Sequence, residues 1–301
     1  MKLLIVNNIM SGLRDGSIYD FARRIAHDGD EICLRTTDGT TDVTSFLEDA
    51  DTFDAVIAAG GDGTIASVAY ALAGSGVPIL PYPAGTGNLL ATNLLSPLEP
   101  NALANILESG RTLDFDLGEI SAGGRRFGFS IMAGAGYDAA IMEGAAPSKK
   151  ILGPVAYFQA ALANVSPQVS SITLDVDGKR IEREGLGVIL VNFSKIQFDL
   201  SLTHENLPRD GQLDIVVLKT QNAFGLIPAV LASLADREGT HPDRSESLEI
   251  FSGREVLVDC DPPMNIQYDG EVPGCTTPFR ARVLPRAARL LISEEAYETF
   301  A

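Results

Sequence analysis

Ala58-Ala-Gly-Gly-Asp-Gly-Thr-Ile65 decides how this chain is read, because an apolar run enters it and a helical pattern leaves it. The entering run, Phe53 to Ala58, is short, partly β-branched and nearly uncharged, which predicts a strand buried on both faces of a parallel sheet. The exit places Ile65, Val68, Ala69 and Leu72 at i, i+3, i+4 and i+7, one apolar stripe of a helix, with Thr64 where a hydroxyl can cap the first turn. Between the two, Gly60, Gly61 and Gly63 let backbone N–H groups approach a ligand closely, and the helix start adds unpaired N–H groups and the positive end of a dipole. That combination suits a phosphate. Asp62 is out of place against a bare phosphate, so it implies a cation or a hydroxyl between the two. A tight turn whose aspartate only caps is the plainer alternative.

Two further turns have the same make-up. Pro78 to Pro83 leads into Ala84-Gly-Thr-Gly-Asn88 and a helical run from Leu89 to Leu95, and Met1 to Val6 leads into Asn7-Asn-Ile-Met-Ser-Gly12. Loops at the carboxyl ends of neighbouring strands in a doubly wound sheet converge on one crevice, so these turns are expected to face one ligand. Around them, Ser17 to about Asp28 reads as a helix with Ile18, Phe21, Ala22 and Ile25 on one face. Glu31 to Arg35 reads as a strand, Asp42 to Asp49 as a short helix, and Pro100 to about Glu108 as a helix after the break at Ser96-Pro97.

From about Arg111 the pattern alternates instead. Thr112 to Ile120 and Arg126 to Met132 read as strands across a Gly123-Gly124 turn. Ser171 to Val176, ending at an Asp177-Gly178 turn, then Leu186 to Asn192, Leu213 to Leu218, Arg254 to Asp259, Phe279 to Val283 and Arg286 to Ile292 continue the series. Helical spacing returns at Leu152 to about Asn164 and at Ser293 to Ala301. The expected architecture is an N-terminal doubly wound α/β nucleotide-binding domain, residues 1–111 joined by 294–301, and a C-terminal antiparallel β-sandwich domain, residues 112–293.

Composition narrows the function. With 45% hydrophobic and 21% charged residues in 301, the chain reads as globular and long enough for two cores. The net charge of −17 argues against nucleic-acid binding and against strong electrostatic attachment to an anionic membrane. Basic pairs at Arg125-Arg126 and Lys149-Lys150 read first as solvated surface. No apolar run reaches the ~18 residues of a membrane span and the first strand does not read as a signal peptide, so a cytoplasmic protein is expected. Cys33, Cys260 and Cys275, with His27, His204 and His241, are scattered without metal-ligand spacing, which predicts free thiols and no zinc site.

Taken together, Asn7 to Gly12, Gly60-Gly-Asp-Gly-Thr64, Pro83-Ala-Gly-Thr-Gly-Asn88, Gly134-Ala-Gly-Tyr-Asp138, Asp210-Gly-Gln-Leu-Asp214 and Asp269-Gly-Glu271 resemble, in order and spacing, the diacylglycerol kinase catalytic-domain family, which includes sphingosine and ceramide kinases and bacterial lipid kinases. The first glycine motif is shared with NAD kinases and phosphofructokinases; the later ones are not. The resemblance implies an ATP- and Mg²⁺-dependent lipid kinase with its active site in the cleft between the domains. Its acceptor would be a lipid such as diacylglycerol, a sphingoid base or phosphatidylglycerol, met by transient association with a membrane surface. A homodimer is compatible with this reading.

On that resemblance, Asn7, Asn8, Ser11, Gly12, Gly60, Gly61, Asp62, Gly63, Thr64, Thr86 and Asn88 would meet the nucleotide. One threonine of Thr36, Thr37, Thr40 and Thr41 would join them, with Thr37 carried as the candidate. Asp138 would meet the acceptor headgroup, and Asp210 with the carbonyls of Leu207 and Gln212 would bind a structural Mg²⁺. The Asp269-Gly-Glu271 triplet would supply a catalytic acid: Glu271 is favoured as the base and Asp269 as the metal-side carboxylate, with Asp62 a third candidate. The chain departs from the family where Leu89 replaces an aspartate common after Asn88, and where Phe193 to Leu200 replaces a glycine-rich run. The competing readings are a kinase for a soluble acceptor such as NAD, and a catalytically silent regulator that binds lipid or nucleotide.

Overall fold

The computed structural model describes residues 1–12, 16–136, 168–193, 195–196, 200–201, 207–219 and 248–301. They divide into two compact units, one of Met1–Leu117, Leu207–Gly211 and Leu284–Ala301, the other of Gly118–Asn206 and Gln212–Val283.

In the first unit the apolar runs become β1 (Lys2–Asn8), β2 (Glu31–Thr37), β3 (Ala55–Gly60) and β4 (Ile79–Pro83), parallel and ordered β2-β1-β3-β4. Every residue of β3 is buried, as the two-faced burial of a helix-covered parallel sheet requires. The helices are α1 (Ser17–Ile25), α2 (Asp62–Ala71), α3 (Leu89–Asn93) and α4 (Pro100–Ser109). Phe21 and Ile25 of α1 and Leu103 and Leu107 of α4 share one core with Leu3, Ile5, Ile57 and Leu80. The expected helix over 42–49 is instead a 3₁₀ turn at Val43–Phe46, with a second such turn at Ala50–Thr52 beyond it. Chain order reverses between β1 and β3, because β1 leads outward to β2 and β3 leads the other way to β4. That reversal is the switch point at which open α/β sheets bind their ligands.

The remaining strands are β5 (Thr112–Ala122), β6 (Arg125–Phe129), β7 (Met132–Gly136), β8 (Ser170–Val176), β9 (Lys179–Gly185), β10 (Gly187–Val191), β11 (Lys195–Ile196), β12 (Leu200–Ser201), β13 (Leu213–Leu218), β14 (Leu248–Gly253), β15 (Glu255–Asp261), β16 (Ile266–Tyr268) and β17 (Phe279–Leu291). The chain ends in α5 (Glu294–Phe300), which Ser293 caps by accepting the Ala296 N–H at 3.1 Å. In the second unit β14-β13-β10-β7-β16 forms one antiparallel layer. The other layer comes from β17, β15, β8 and β9, with the β5–β6 hairpin. Inward residues of both layers, among them Phe129, Ala133, Leu174, Leu190, Ile215, Val258 and Phe279, make one core, so the β-sandwich is present.

Two local expectations are corrected, and one strand lies where none was expected. Arg126 to Met132 is not one strand: Ser130 and Ile131 form a corner between β6 and β7. Phe279 to Val283 and Arg286 to Ile292 are one strand, β17, because Arg286 takes φ 50° and gives its N–H to Asp116 at 2.6 Å, which bends the strand without ending it. Lys179 to Gly185, too charged to stand out, pairs with β8 as β9. The expected helix at Leu152 to Asn164 lies outside the described residues. All three cysteines are free, and burial pushes the Cys260 thiol up to about 11, which leaves it unreactive.

Candidate active site

Parallel pairing brings the carboxyl ends of four strands to one edge of the first unit, since Asn8 lies opposite Thr37, Asn7 opposite Ala59, and Gly60 opposite Pro83. Their turns are tied together by polar side chains. Asn8 donates its amide to the Thr64 hydroxyl at 2.9 Å and accepts the Met10 N–H at 3.0 Å. The Ser11 hydroxyl accepts the Gly61 N–H at 3.3 Å, across the switch point. Thr37, buried, accepts the Gly39 N–H at 3.0 Å, and its carbonyl takes the Ile9 N–H at 3.0 Å.

Glycine is required at two of these positions for reasons of space. Gly12 has φ 55°, and a Cβ there would stand 2.0 Å from the Ala84 carbonyl oxygen; a Cβ on Gly85 would stand 2.5 Å from the Gly61 Cα. Backbone therefore packs on backbone where the three turns meet. Beside it lie the hydroxyl and amide groups just named and the first turn of α2, whose N-cap is Gly61 and which no side chain caps. That surface of backbone N–H groups and small polar side chains fits the phosphates of a nucleotide.

Asp62 and its neighbours have structural partners that the sequence did not reveal. Asp62 Oδ1 accepts the Leu90 N–H at 2.9 Å, so this carboxylate caps α3 from the neighbouring turn. Its other oxygen has no partner among the described residues and suits a hard cation. Thr64 does not cap α2 as expected, because its hydroxyl is the acceptor for Asn8. Asn88, at φ 51°, closes its own turn by accepting the Gly85 N–H at 2.8 Å and donating to the Gly85 carbonyl at 3.1 Å. Thr86 is exposed at the tip of that turn, and Gly63 lies in the first turn of α2.

The Asp269-Gly-Glu271 triplet stands in the second unit on a tight hairpin. Asp269 and Gly270 have φ of 40° and 85°, a type I′ turn, and Tyr268 and Glu271 exchange N–H···O bonds of 3.0 and 2.7 Å. Asp269 Oδ2 accepts from Ser130 N at 2.6 Å and Ser130 Oγ at 2.9 Å, while Oδ1 accepts from Ile131 N at 2.9 Å and Met132 N at 3.0 Å. Burial pushes this carboxyl up to about 6, against the pull of those four donors. Glu271 is exposed, and its side chain makes no hydrogen bond or ion pair among the described residues.

The loop proposed for Mg²⁺ is held by protein groups. Asp116, 2% exposed in the middle of β5, accepts the Gly211 N–H at 2.7 Å as well as that of Arg286. Arg209 donates to the carbonyls of Asp114 at 2.8 Å and Phe300 at 2.6 Å, and the Leu207 carbonyl takes the Asp210 N–H at 3.3 Å. Among the described residues no cluster of three His, Cys, Asp or Glu side chains is placed to hold a metal. A cation at Asp210 would therefore depend on the carbonyls of Leu207 and Gln212 and on water. Sequence reading missed Asp116; the one available signal was an acid in the middle of a strand whose neighbours Phe115 and Leu117 are core residues. Asp138 lies outside the described residues.

Comparison with known proteins identifies the family. The Diacylglycerol kinase catalytic domain matches residues 2–120, and the YegS C-terminal NAD kinase beta sandwich-like domain matches residues 131–292. The chain belongs to the lipid-kinase family in which these two domains are joined, that of the diacylglycerol kinases and YegS-like proteins. It is 27% identical over 258 residues to a diacylglycerol kinase of Mycobacterium tuberculosis, covering 79% of this chain and 76% of that one. An uncharacterized protein of Synechocystis sp. is 27% identical over 249 residues, which cover 80% of this chain but only 55% of the relative's length. A solved structure of a diacylglycerol kinase from Bacillus anthracis shares the fold, with a TM-score of 0.76 at 21% identity over 98% of this chain and 97% of that one. Among the described residues no helix is long and apolar enough to cross a membrane.

Proposed function

We propose that this kinase uses ATP to phosphorylate a lipid hydroxyl, with diacylglycerol, a sphingoid base or phosphatidylglycerol as the acceptor class. The observation that carries this reading is the meeting of the Asn7–Gly12, Gly60–Thr64 and Gly85–Asn88 turns at the switch point of the parallel sheet, where glycine backbones leave no room for a Cβ. In this reading the N–H groups at the start of α2 and the Asn8, Ser11 and Thr64 side chains orient the nucleotide's phosphates, and Thr37 and Thr86 border the same edge. Asp62 would help hold a cation, and Mg²⁺, when bound, would offset charge on the phosphates. Glu271 takes the proton of the acceptor hydroxyl as that oxygen attacks the γ-phosphorus, and the bond from the γ-phosphorus to the bridging oxygen breaks to release ADP. Asp138 is proposed to orient the acceptor, and Asp210 to bind a structural Mg²⁺ with the Leu207 and Gln212 carbonyls. The protein would work in the cytoplasm and visit membranes transiently to reach its substrate.

The test is purified protein with labelled ATP and Mg²⁺, offered diacylglycerol, sphingosine, ceramide and phosphatidylglycerol in mixed micelles, with NAD beside them. Label in a lipid supports the reading. Label in NAD alone supports the soluble-acceptor alternative, and label in no acceptor, with ATP or lipid still bound, supports a silent regulator.

A further inference from the structure

We infer that Asp269 is a positioning residue, one that locks the Glu271 hairpin onto the Ser130–Met132 corner and does not itself meet a proton or a cation; the inference rests on the kinase reading above. A carboxylate has about four lone-pair sites. In Asp269 they face four donors, Ser130 N, Ser130 Oγ, Ile131 N and Met132 N, at 2.6 to 3.0 Å. To serve as base or metal ligand it would have to release these donors, most of which sit on the buried residues Ser130 and Ile131. The tie is also reciprocal, since Asp269 gives its own N–H to the Met132 carbonyl at 2.8 Å.

The corner is itself fixed from the other side. Asn192, 2% exposed at the end of β10, donates its amide to the Ser130 carbonyl at 2.8 Å. The N–H groups of Asn192 and Phe193 both go to the Ile131 carbonyl, at 2.8 and 3.1 Å. Ser130, Ile131 and Met132 thus have N–H and C=O groups bonded to Asp269 or to the 192–193 segment. The hairpin that stands on this corner has two ends of different character. Asp269 is consumed by the corner, whereas Glu271, two residues on, keeps only its backbone in the turn and turns an exposed side chain outward. A general base must come within roughly 2.6–3.2 Å of the hydroxyl it serves, and about 1 Å of misplacement can reduce turnover on the order of a hundredfold. Asp269, Ser130 and Asn192 form the support that sets that distance for Glu271.

The test compares wild type, Asp269→Asn, Ser130→Ala and the double variant for kcat, KM for ATP and Mg²⁺ requirement, with amide exchange at Ile131 and Met132 measured on the same proteins. The Asn side chain turns an NH₂ toward donors, so Asp269→Asn should lose about a hundredfold in kcat, with KM for ATP and Mg²⁺ requirement unchanged and both amides exchanging faster. Ser130→Ala, which touches no reactant in this reading, should lower kcat by a smaller factor. The double variant should match Asp269→Asn and not the product of the two losses, because both changes act through one contact. A raised Mg²⁺ requirement or weakened ATP binding in Asp269→Asn would overturn the inference and return Asp269 to the metal. Full kcat in Asp269→Asn, or unchanged kcat in Ser130→Ala, would also overturn it. Wild type that transfers to no lipid would remove the lipid-kinase reading and this inference together, whereas active wild type with full-activity variants removes the inference alone.

Discussion

Asp177-Gly178 and Asp269-Gly270 are the same turn at the level of the backbone, with φ of 49° and 86° in the first and 40° and 85° in the second. Each aspartate N–H donates to a carbonyl beside the hairpin, Asp177 to Glu255 at 3.1 Å and Asp269 to Met132 at 2.8 Å. Each carboxylate takes backbone N–H groups at that same place: Arg254 and Glu255 at 3.0 to 3.2 Å for Asp177, and Ser130, Ile131 and Met132 at 2.6 to 3.0 Å for Asp269. The turns differ in burial and in the residue that follows, which is Lys179 in the exposed turn and Glu271 in the half-buried one. An Asp-Gly turn whose carboxylate seizes neighbouring N–H groups is thus a way of docking a hairpin end, and folding alone accounts for Asp269. It does not account for Glu271, an acid with no partner among the described residues, and chemistry is better sought there.

The comparison breaks most sharply at the following residue. Glu271→Gln should cost roughly 10²- to 10⁴-fold in turnover with lipid while ATP affinity is kept, as loss of a general base does. Lys179→Gln in the other hairpin should leave steady-state turnover unchanged; equal losses would mean that the hairpins matter only for folding. Next in size is stability. Removing one oxygen acceptor strands N–H groups at a buried corner in one case and at a wet one in the other, so denaturant titration should show Asp269→Asn losing about 3 kcal/mol and Asp177→Asn about 1 kcal/mol or less.

The pH dependence of stability sharpens the same contrast. The unfolded chain releases a carboxyl proton near 3.9 or so, whereas the folded state holds that of Asp269 to about 6. The folded state therefore binds the extra proton between those values. The contribution of this group is full below about 4 and is lost as pH rises through 6. Unfolding midpoints from pH 4 to 7 should show wild type falling relative to Asp269→Asn; a rise would mean that the four donors outweigh burial. The smallest effect on folding in the first unit concerns Asp62-Gly63, an Asp-Gly pair that begins a helix. Asp62→Ala removes the cap on Leu90 and should cost about 1 kcal/mol in melting experiments, while transfer is lost far more steeply than the fold.

Much of the first unit is legible in the sequence because its signals are local. Phe53 to Ala58 and Met1 to Val6 are apolar runs with glycine turns directly after them, and a parallel sheet needs both. What each polar side chain does within those turns is not local. Asp62 meets Leu90, and Asn8 meets Thr64, only after strands distant in sequence have paired. The second unit hides more for the same reason. Asp269 is bonded to residues nearly 140 positions earlier, and Asp116 reads as an ordinary strand residue until Gly211 and Arg286 arrive. Pro285-Arg286 looks like a strand break because a bend and an end have the same composition, and only the bond from Arg286 to Asp116 distinguishes them.

The central claim is that a lipid hydroxyl accepts phosphate from ATP on this chain, and one measurement addresses it most directly. Wild type and Glu271→Gln are incubated in parallel with γ-labelled ATP, Mg²⁺ and mixed micelles of the four lipids, with NAD as the soluble control, and the labelled product is separated. The account predicts label in one of the lipids, none in NAD, and almost none in any product of Glu271→Gln. Label in NAD alone, or equal labelling of lipid by both proteins, would contradict it.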